Sequence, residues 1–203
     1  MLTRSQTKDT AHFDRRVHLI RGDIGYLREI DGKPLDALAF PTHAGLTNNG
    51  IGAAAAIHRR AGPQLNAYLT SPLVGAHSRQ TGEVVVTPSF NAGVSKLIHC
   101  VGPRVSQHNC LALLERTYES LVGTIEQQEL KSVAVASIST GNMGVSATDG
   151  ARVAMRVVQR FLRQHRHWDG AVAFICFEQD VFDAFLAEKR NVMASYEALQ
   201  SLP

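Results

Sequence analysis

The chain has 203 residues, of which 44% are hydrophobic and 19% are charged, with a formal net charge of +3. This length is typical of one domain with a full core, and the composition is ordinary for a soluble globular protein. Lys and Arg are scattered along the sequence, so the mild basic excess permits an anionic ligand but does not indicate a nucleic-acid partner. No apolar stretch approaches the ~20 residues of a membrane-spanning helix, so we expect no membrane partner.

The three cysteines, Cys100, Cys110 and Cys176, are an odd number without the paired spacing of a metal site. Cys100 and Cys176 lie inside apolar runs, where a free cysteine behaves as a small hydrophobic residue. We therefore predict a reducing, cytoplasmic location, with no disulfide framework, no metal and no cofactor.

The N-terminal residues 1–16 are polar and are predicted to form a flexible lead-in. Strands are predicted, in chain order, at 17–20, 36–41, 83–88, 96–101, 132–138 and 171–177. Amphipathic or capped helices are predicted at 50–62, 109–130, 146–165 and 178–190, with Asn109 as a candidate N-cap. The Asn-Ala-Gly turn at 91–93 predicts that the two strands beside it pair as a hairpin.

Strands alternate with helices along most of the chain, and the inner strands are apolar throughout. This order predicts an α/β fold, a three-layer α/β/α sandwich with a central mixed, largely parallel sheet. The sequence contains no repeat and no interdomain linker, so one domain is predicted at 17–190. Residues 191–203 are predicted to be a C-terminal extension, either a short helix or frayed.

Two loops combine glycine with small polar residues, and each leads from a strand towards a helix. They are "TNNGIG" at 47–52 and "STGNMG" at 139–144. Ligands of open α/β sheets bind outside the carboxyl ends of the strands, and free N–H groups at a helix N-terminus suit phosphate. Two such loops together suit a diphosphate, although tight turns alone would also explain them. Neither loop matches the P-loop or the dinucleotide-binding motif.

Six segments occur in an order that resembles the macro domain, the ADP-ribose-binding module. They are "RGDI" (21–24), "AIHRRAGP" (56–63), "TGEVVVTPSFN" (81–91), "LIHCVGP" (97–103), "VAVASISTGNMG" (133–144) and "FICFEQDVFDAF" (174–185). The resemblance extends over about residues 17–189. Each motif is weak alone, and the six in sequence carry the resemblance.

The resemblance implies an adenosine site at one end of the cleft. Asp23 would accept a hydrogen bond from the adenine amino group, with the Ile24 backbone nearby, and a carboxylate suits this role because it only accepts. Without the other motifs, Asp23 would be interpreted as a turn or N-cap residue. Phe177 occupies the family's position for an aromatic against the adenosine, but it could equally be core, like Phe174.

The resemblance also implies that the two loops enclose the diphosphate and the distal ribose. The ligand-binding residues on one side would be Asn48, Asn49, Gly50, Ile51 and Gly52. Those on the other side would be Ser139, Thr140, Gly141, Asn142, Met143, Gly144 and Val145.

The chain departs from the pattern of family members that hydrolyse ADP-ribosyl bonds. Such members typically carry "NAAN" at the end of the second strand and an Asp just inside the next helix, whereas this chain has "PTHA" at 41–44 and Ala54. "FPTHAG" instead resembles the "HPTN" segment in the macro domain of a variant core histone. His43 is the best substitute base, since imidazole titrates near neutral pH, and Asn48 or Asn49 could supply an amide. His58 and His99 are predicted to be packed.

These features predict a domain that binds free ADP-ribose or ADP-ribosylated protein without efficient turnover. One alternative is a hydrolase of ADP-ribosyl bonds or of O-acetyl-ADP-ribose that uses a non-standard residue such as His43. A further alternative is a domain that binds RNA or another polyanion, or a partner-binding scaffold whose pocket has degenerated.

Overall fold

The computed structural model describes residues 4–47 and 50–198. Its strands are β1 (Val17–Arg21), β2 (Glu29–Ile30), β3 (Lys33–Pro34), β4 (Ala37–Thr42), β5 (Val84–Pro88), β6 (Lys96–Val101), β7 (Ser132–Ala136) and β8 (Ala171–Cys176). Its helices are α1 (Arg4–Arg16), α2 (Gly52–Ala61), α3 (Pro63–Leu69), α4 (Pro72–Gly75), α5 (Cys110–Gln127), α6 (Ala147–Gln164) and α7 (Gln179–Ala198). None of the helices in these two ranges is long and apolar enough to cross a membrane.

Six strands form one sheet in the order β1-β8-β7-β4-β6-β5. All neighbouring pairs are parallel except β5 and β6, which are antiparallel, with Val86 opposite Ile98. The predicted mixed, largely parallel sheet and the predicted hairpin are therefore confirmed. The turn of this hairpin contains a short 3-10 helix, Phe90–Ala92, and ends at Gly93 in the left-handed conformation (φ 69°).

A two-stranded ribbon, β2 and β3, was not predicted. Its turn is Asp31-Gly32, with φ values of 51° and 73°, and positive φ at both positions is typical of a type I′ hairpin turn. The Asp-Gly pair is visible in the sequence and is a recognised hairpin signal. The strands that flank it have only two residues each, too few to show an alternating pattern.

The sheet is covered on both faces, because side chains along its strands alternate between two hydrophobic clusters. Ala37 and Ala39 of β4 belong to the cluster beneath α1, α5, α6 and α7, whereas Leu38 and Phe40 belong to the cluster beneath α2 and α3. Burial on both faces explains why the inner strands are apolar throughout. The predicted three-layer α/β/α sandwich is confirmed.

The described terminal segments show helix at both sides, which was not expected for 1–16 and was one of two expectations for 191–203. Residues within the expected flexible lead-in form α1, whose Phe13 is 1% exposed and whose Asp14 lies 2.7 Å from Lys189 Nζ of α7. At the other end, α7 continues to Ala198, so the expected extension begins inside this helix. A mostly polar helix can still pack when a few of its apolar side chains face a partner helix. The polar composition of residues 1–16 therefore did not indicate that α1 forms and packs.

Candidate ligand-binding cleft

A cleft of about 420 Å³ opens at the carboxyl ends of β1, β8, β7 and β4, beside the N-terminal half of α2. This is the location expected for a ligand site in an open α/β sheet. The cleft brings together these predicted residues: Asp23, Ile24, His43, Gly50, Ile51, Gly52, Ser139, Gly141, Asn142, Met143 and Phe177. Asn48 and Asn49 lie outside the described residues.

Three predicted binding residues do not line the cleft and instead shape the loop after β7. Thr140 Oγ1 donates to Ser137 Oγ at 2.9 Å. The N–H of Gly144 donates to the Gly141 carbonyl at 2.8 Å, and the buried Val145 donates its N–H to the Ser139 carbonyl at 3.0 Å. These bonds fold the loop so that its other residues face the cleft.

Asp23 lies at the end of the cleft formed by the edge strand β1. Its Oδ1 accepts the N–H of Gly25 at 2.8 Å, which closes a tight turn. Among the described residues, no hydrogen bond is formed by its second oxygen, Oδ2. The interpretation as a turn residue and the interpretation as a ligand acceptor are therefore compatible, since one oxygen serves the turn and the other is available.

Phe177 lines the same end of the cleft and is 67% exposed. The alternative that it belongs to the core is therefore wrong. Phe174, three residues earlier in β8, is fully buried against Tyr118 and Phe185. The side chain of Phe177 is thus free to lie against a planar ligand group.

The loop after β7 contains an unusual backbone conformation at Ser139, whose φ of 66° is in the left-handed region. A non-glycine residue in this region is strained, and such residues concentrate at functional sites. The loop also approaches β6 closely, because a Cβ at Gly102 would lie only 2.5 Å from Ser139 Oγ. A second link joins these segments, since the N–H of Val105 donates to the Met143 carbonyl at 2.8 Å.

His43 uses both ring nitrogens to hold its own loop. Nδ1 accepts the N–H of Gly45 at 3.0 Å, and Nε2 lies 3.2 Å from Thr47 Oγ1. Because Nδ1 accepts, the neutral ring carries its proton on Nε2 and donates it to the threonine. In this arrangement neither nitrogen has a free lone pair for a water molecule, which argues against His43 as a general base.

His58 and His99 are packed, as predicted, between the sheet and α2. They are 6% and 0% exposed, and the ring centroid of Phe40 lies 4.7 Å from that of His99. His99 Nε2 lies 3.1 Å from Thr87 Oγ1. Burial, with nearby His58 as a smaller cause, lowers the pKa of His99 to about 3. Burial, followed by the charge of His43, also lowers the pKa of His58.

Several lining residues were not predicted as site residues. They are Gly22, Pro41, Thr42, Ala53, Ala54, Ala55, Ala56, Arg59, Arg104, Ala136, Ser137, Ile175 and Glu178. Most of them flank predicted strand ends or the start of α2, so the rule that ligands bind at carboxyl ends could have included them. Arg104 lacked such a signal, because β6 was identified only as a hairpin partner of β5.

The charged groups of the cleft are distributed unevenly. Among the described lining residues, the carboxylates are Asp23 and Glu178, which follow the edge strand β1 and its neighbour β8. At the end of β4 and the start of α2, the lining residues include Pro41, His43 and Ala54. The described part of this region therefore contains no carboxylate to activate a water molecule.

Comparisons with known proteins agree with this geometry. A model of the Macro domain family matches residues 42–154. An O-acetyl-ADP-ribose deacetylase of Salmonella gallinarum is 33% identical over 167 residues, which is 81% of this chain and 89% of that protein. A macro domain-containing protein of Lactiplantibacillus plantarum is 32% identical over 180 residues, which is 86% of this chain and 98% of that protein.

Solved structures show the same fold. The Trypanosoma brucei macrodomain in complex with ADP-ribose superimposes with a TM-score of 0.76 at 26% identity, covering 89% of this chain and 71% of that one. The Oceanobacillus iheyensis macrodomain with ADP gives a TM-score of 0.78 at 24% identity, covering 87% of this chain and 91% of that one.

A cleft at the carboxyl ends of a mixed sheet, lined by glycine-containing segments, is the arrangement of an α/β domain with a ligand site at its strand ends. With the family and structural matches, the chain belongs to the macro domain family.

Proposed function

We propose that this protein binds ADP-ribose, either free or attached to a protein, and does not turn it over efficiently. Asp23 would bind the adenine amino group through Oδ2, and Phe177 would lie against the adenosine. N–H groups at the start of α2 and in the cleft-lining part of the loop after β7 would bind the diphosphate. Phosphate is a favourable ligand for the N–H groups at a helix N-terminus such as that of α2.

The observation that carries the proposal is the contrast between the two ends of the cleft. The β1–β8 end has a carboxylate oxygen without a described partner and an exposed aromatic ring. The end of β4 has Pro41 and Ala54, which offer no side-chain acid or base, and His43, whose nitrogens are engaged within its loop. Such a site can hold a ligand but has few means to activate water.

A hydrolase is the second candidate, and the names of the relatives favour it. The S. gallinarum protein is named an O-acetyl-ADP-ribose deacetylase. If this chain catalyses a similar reaction, His43 would have to exchange its bond with Thr47 or with Gly45 for a bond to water. An asparagine from 48–49 is the other group that the sequence offers.

Two further functions remain as alternatives, a domain for RNA or another polyanion and a scaffold with a degenerate pocket. The open cleft of about 420 Å³ supports a small ligand over a closed, degenerate pocket. A polyanion site would show a steep dependence of affinity on salt concentration.

The experiment that tests the proposal combines binding with turnover on one preparation. ADP-ribose should raise the melting temperature of the protein, because a ligand that binds only the folded state stabilises it. The same preparation, incubated with O-acetyl-ADP-ribose and with a glutamate-linked ADP-ribosyl peptide, should leave both intact by mass spectrometry. Rapid release of ADP-ribose, abolished by His43→Ala, would instead establish the hydrolase.

A further inference from the structure

Arg104 lines the cleft at the end opposite Asp23. It lies three residues past β6, whereas Asp23 follows β1, and the sheet order places four strand spacings between these two strands. At about 4.8 Å per spacing, the two strands are roughly 19 Å apart across the sheet. A ligand with adenine at Asp23 and its diphosphate at the loop after β7 would direct its distal ribose towards Arg104.

The backbone of Arg104 is fixed, while its side chain is free. Its N–H donates to Gln107 Oε1 at 2.7 Å, and Gln107 Nε2 donates to Thr81 Oγ1 at 3.2 Å. The next residue, Val105, is joined to the loop after β7. The guanidinium is exposed and has no hydrogen bond or ion pair within the described ranges. The guanidinium therefore lines the cleft from a hydrogen-bonded backbone position and has no carboxylate partner among the described residues.

The other arginine of the cleft, Arg59, lies at the opposite end. It is one helical turn after Ala56, whose Cβ would be 3.1 Å from a Cβ at Gly25 in the Asp23 turn. The carboxylates Asp23 and Glu178 are also on the β1–β8 side. Among the described residues that line the cleft, Arg104 is thus the cation without an ion-pair partner at the β6 end. The other titratable residue that lines the β4–β6 side is His43.

We propose that Arg104 is a specificity-determining residue that binds a carboxylate of an acidic peptide to which the ADP-ribosyl group is attached. The inference rests on the proposed function, because it uses the orientation of ADP-ribose given above. Guanidinium groups bind carboxylates in a planar, bidentate geometry. The exposed position leaves room for a peptide to continue out of the cleft, and exposed Val105 (56%) offers an apolar contact beside it.

The test compares two synthetic peptides that carry ADP-ribose on one serine, flanked by glutamates in one and by glutamines in the other. Affinities for both peptides and for free ADP-ribose are measured by calorimetry for wild type, Arg104→Gln and Arg59→Gln. Wild type should bind the glutamate peptide about threefold to tenfold more tightly than the glutamine peptide. Arg104→Gln should bind the two peptides with equal affinity, whereas Arg59→Gln should keep the preference.

The other possible results separate failure of the proposed role of Arg104 from failure of the proposed function. Equal affinities of wild type for the two peptides, an undiminished preference in Arg104→Gln, or binding of free ADP-ribose without binding of either peptide would overturn the role of Arg104 alone. Failure of wild type to bind free ADP-ribose would overturn the proposed function and the inference with it. A preference that declines with added salt would support an ionic contact.

Discussion

At the residue scale, the side chains of the cleft divide into those that the sequence identifies and those that only the fold brings there. Phe174 and Phe177, three residues apart, show the difference. Both are phenylalanines near the end of one apolar strand. The sequence already places Phe174 in the core, whereas only the structure shows that Phe177 is exposed. The reason is that β8 ends at Cys176. Phe177 is therefore outside the strand, and its side chain is not held against either covered face of the sheet.

The role of Asp23 predicts a strong and specific effect of an isosteric change. In Asp23→Asn the side-chain oxygen can still accept the N–H of Gly25, so the turn is retained. The new amide N–H₂ would face the adenine amino group and replace an acceptor with a donor. We expect at least a tenfold loss of ADP-ribose affinity, about 1.4 kcal/mol, by calorimetry.

The neighbouring carboxylate Glu178 provides the control for Asp23. It lines the same end of the cleft and is exposed, so Glu178→Gln removes a similar charge without removing the proposed adenine acceptor. Equal losses in Asp23→Asn and Glu178→Gln would indicate a general effect of charge and would contradict the adenine contact.

The buried histidines predict how stability depends on pH. His99 stays neutral in the fold because its pKa is about 3, whereas in the unfolded chain its pKa is the ordinary 6.5. The unfolded state therefore binds more protons below pH 6.5, so the free energy of unfolding decreases as pH falls. The expected slope contribution is on the order of 1 kcal/mol per pH unit between about pH 6 and pH 4.

A paired substitution isolates this contribution. His99→Leu with Thr87→Val removes the imidazole and the hydroxyl that bonds to it. The Pro88 carbonyl also loses this hydroxyl as a donor, but Pro88 is exposed. Urea unfolding across this pH range should show a shallower slope than wild type. The exposed Leu73→Ala, which removes no titratable group, should leave the slope unchanged. A double variant with the wild-type slope would show that His99 does not titrate as described.

At the scale of elements, the fold positions the site through contacts between neighbouring strand ends. The loop after β7 packs directly on the end of β6, and glycine at 102 is what permits this. The sequence shows a glycine in "LIHCVGP" but not its partner, because the contact joins residues far apart in the chain. Ser139, Gly102 and Val105 could therefore not be connected by sequence reasoning alone.

A substitution at Gly102 tests this contact. In Gly102→Ala the Cβ would lie 2.5 Å from Ser139 Oγ and 2.6 Å from Ile138 Cγ2, so these side chains or the loop that carries them must shift. We expect a loss of about 1–3 kcal/mol in the free energy of unfolding and weaker ADP-ribose binding, measured by denaturation and calorimetry.

Gly123→Ala is the matched control, since a Cβ at this position within α5 meets nothing within 4 Å. Alanine is also the better helix former, so this variant should be stabilised by about 0.5–1 kcal/mol. If Gly102→Ala matched wild type in both stability and affinity, the close approach of the loop would not constrain the site.

At the scale of the whole molecule, the sequence predicted the sandwich, the hairpin and the single cleft-forming edge of the sheet. These features follow from the alternation of apolar strands with amphipathic helices along the chain. This pattern can be recognised without knowing which distant residues are in contact. The N-terminal helix was missed because its structure depends on packing against α7, at the other end of the chain. Its few apolar side chains do not stand out from a polar segment.

The packing of α1 predicts that this helix contributes to the stability of the whole domain. Phe13 is 1% exposed and its ring lies 6.1 Å from that of Tyr196. Phe13→Ala should lower the free energy of unfolding by about 3–5 kcal/mol, measured by urea denaturation. Leu73→Ala, at a position 80% exposed, should cost little. Similar small effects for both variants would indicate that α1 does not pack in solution.

The central claim is that the cleft binds ADP-ribose through both ends of the ligand, and calorimetry of the wild-type protein tests it most directly. ADP-ribose and AMP are titrated in parallel, since AMP lacks the second phosphate and the distal ribose. We predict micromolar affinity for ADP-ribose and clearly weaker binding of AMP. Absence of heat with ADP-ribose at millimolar concentration, or equal affinity for both ligands, would contradict the account.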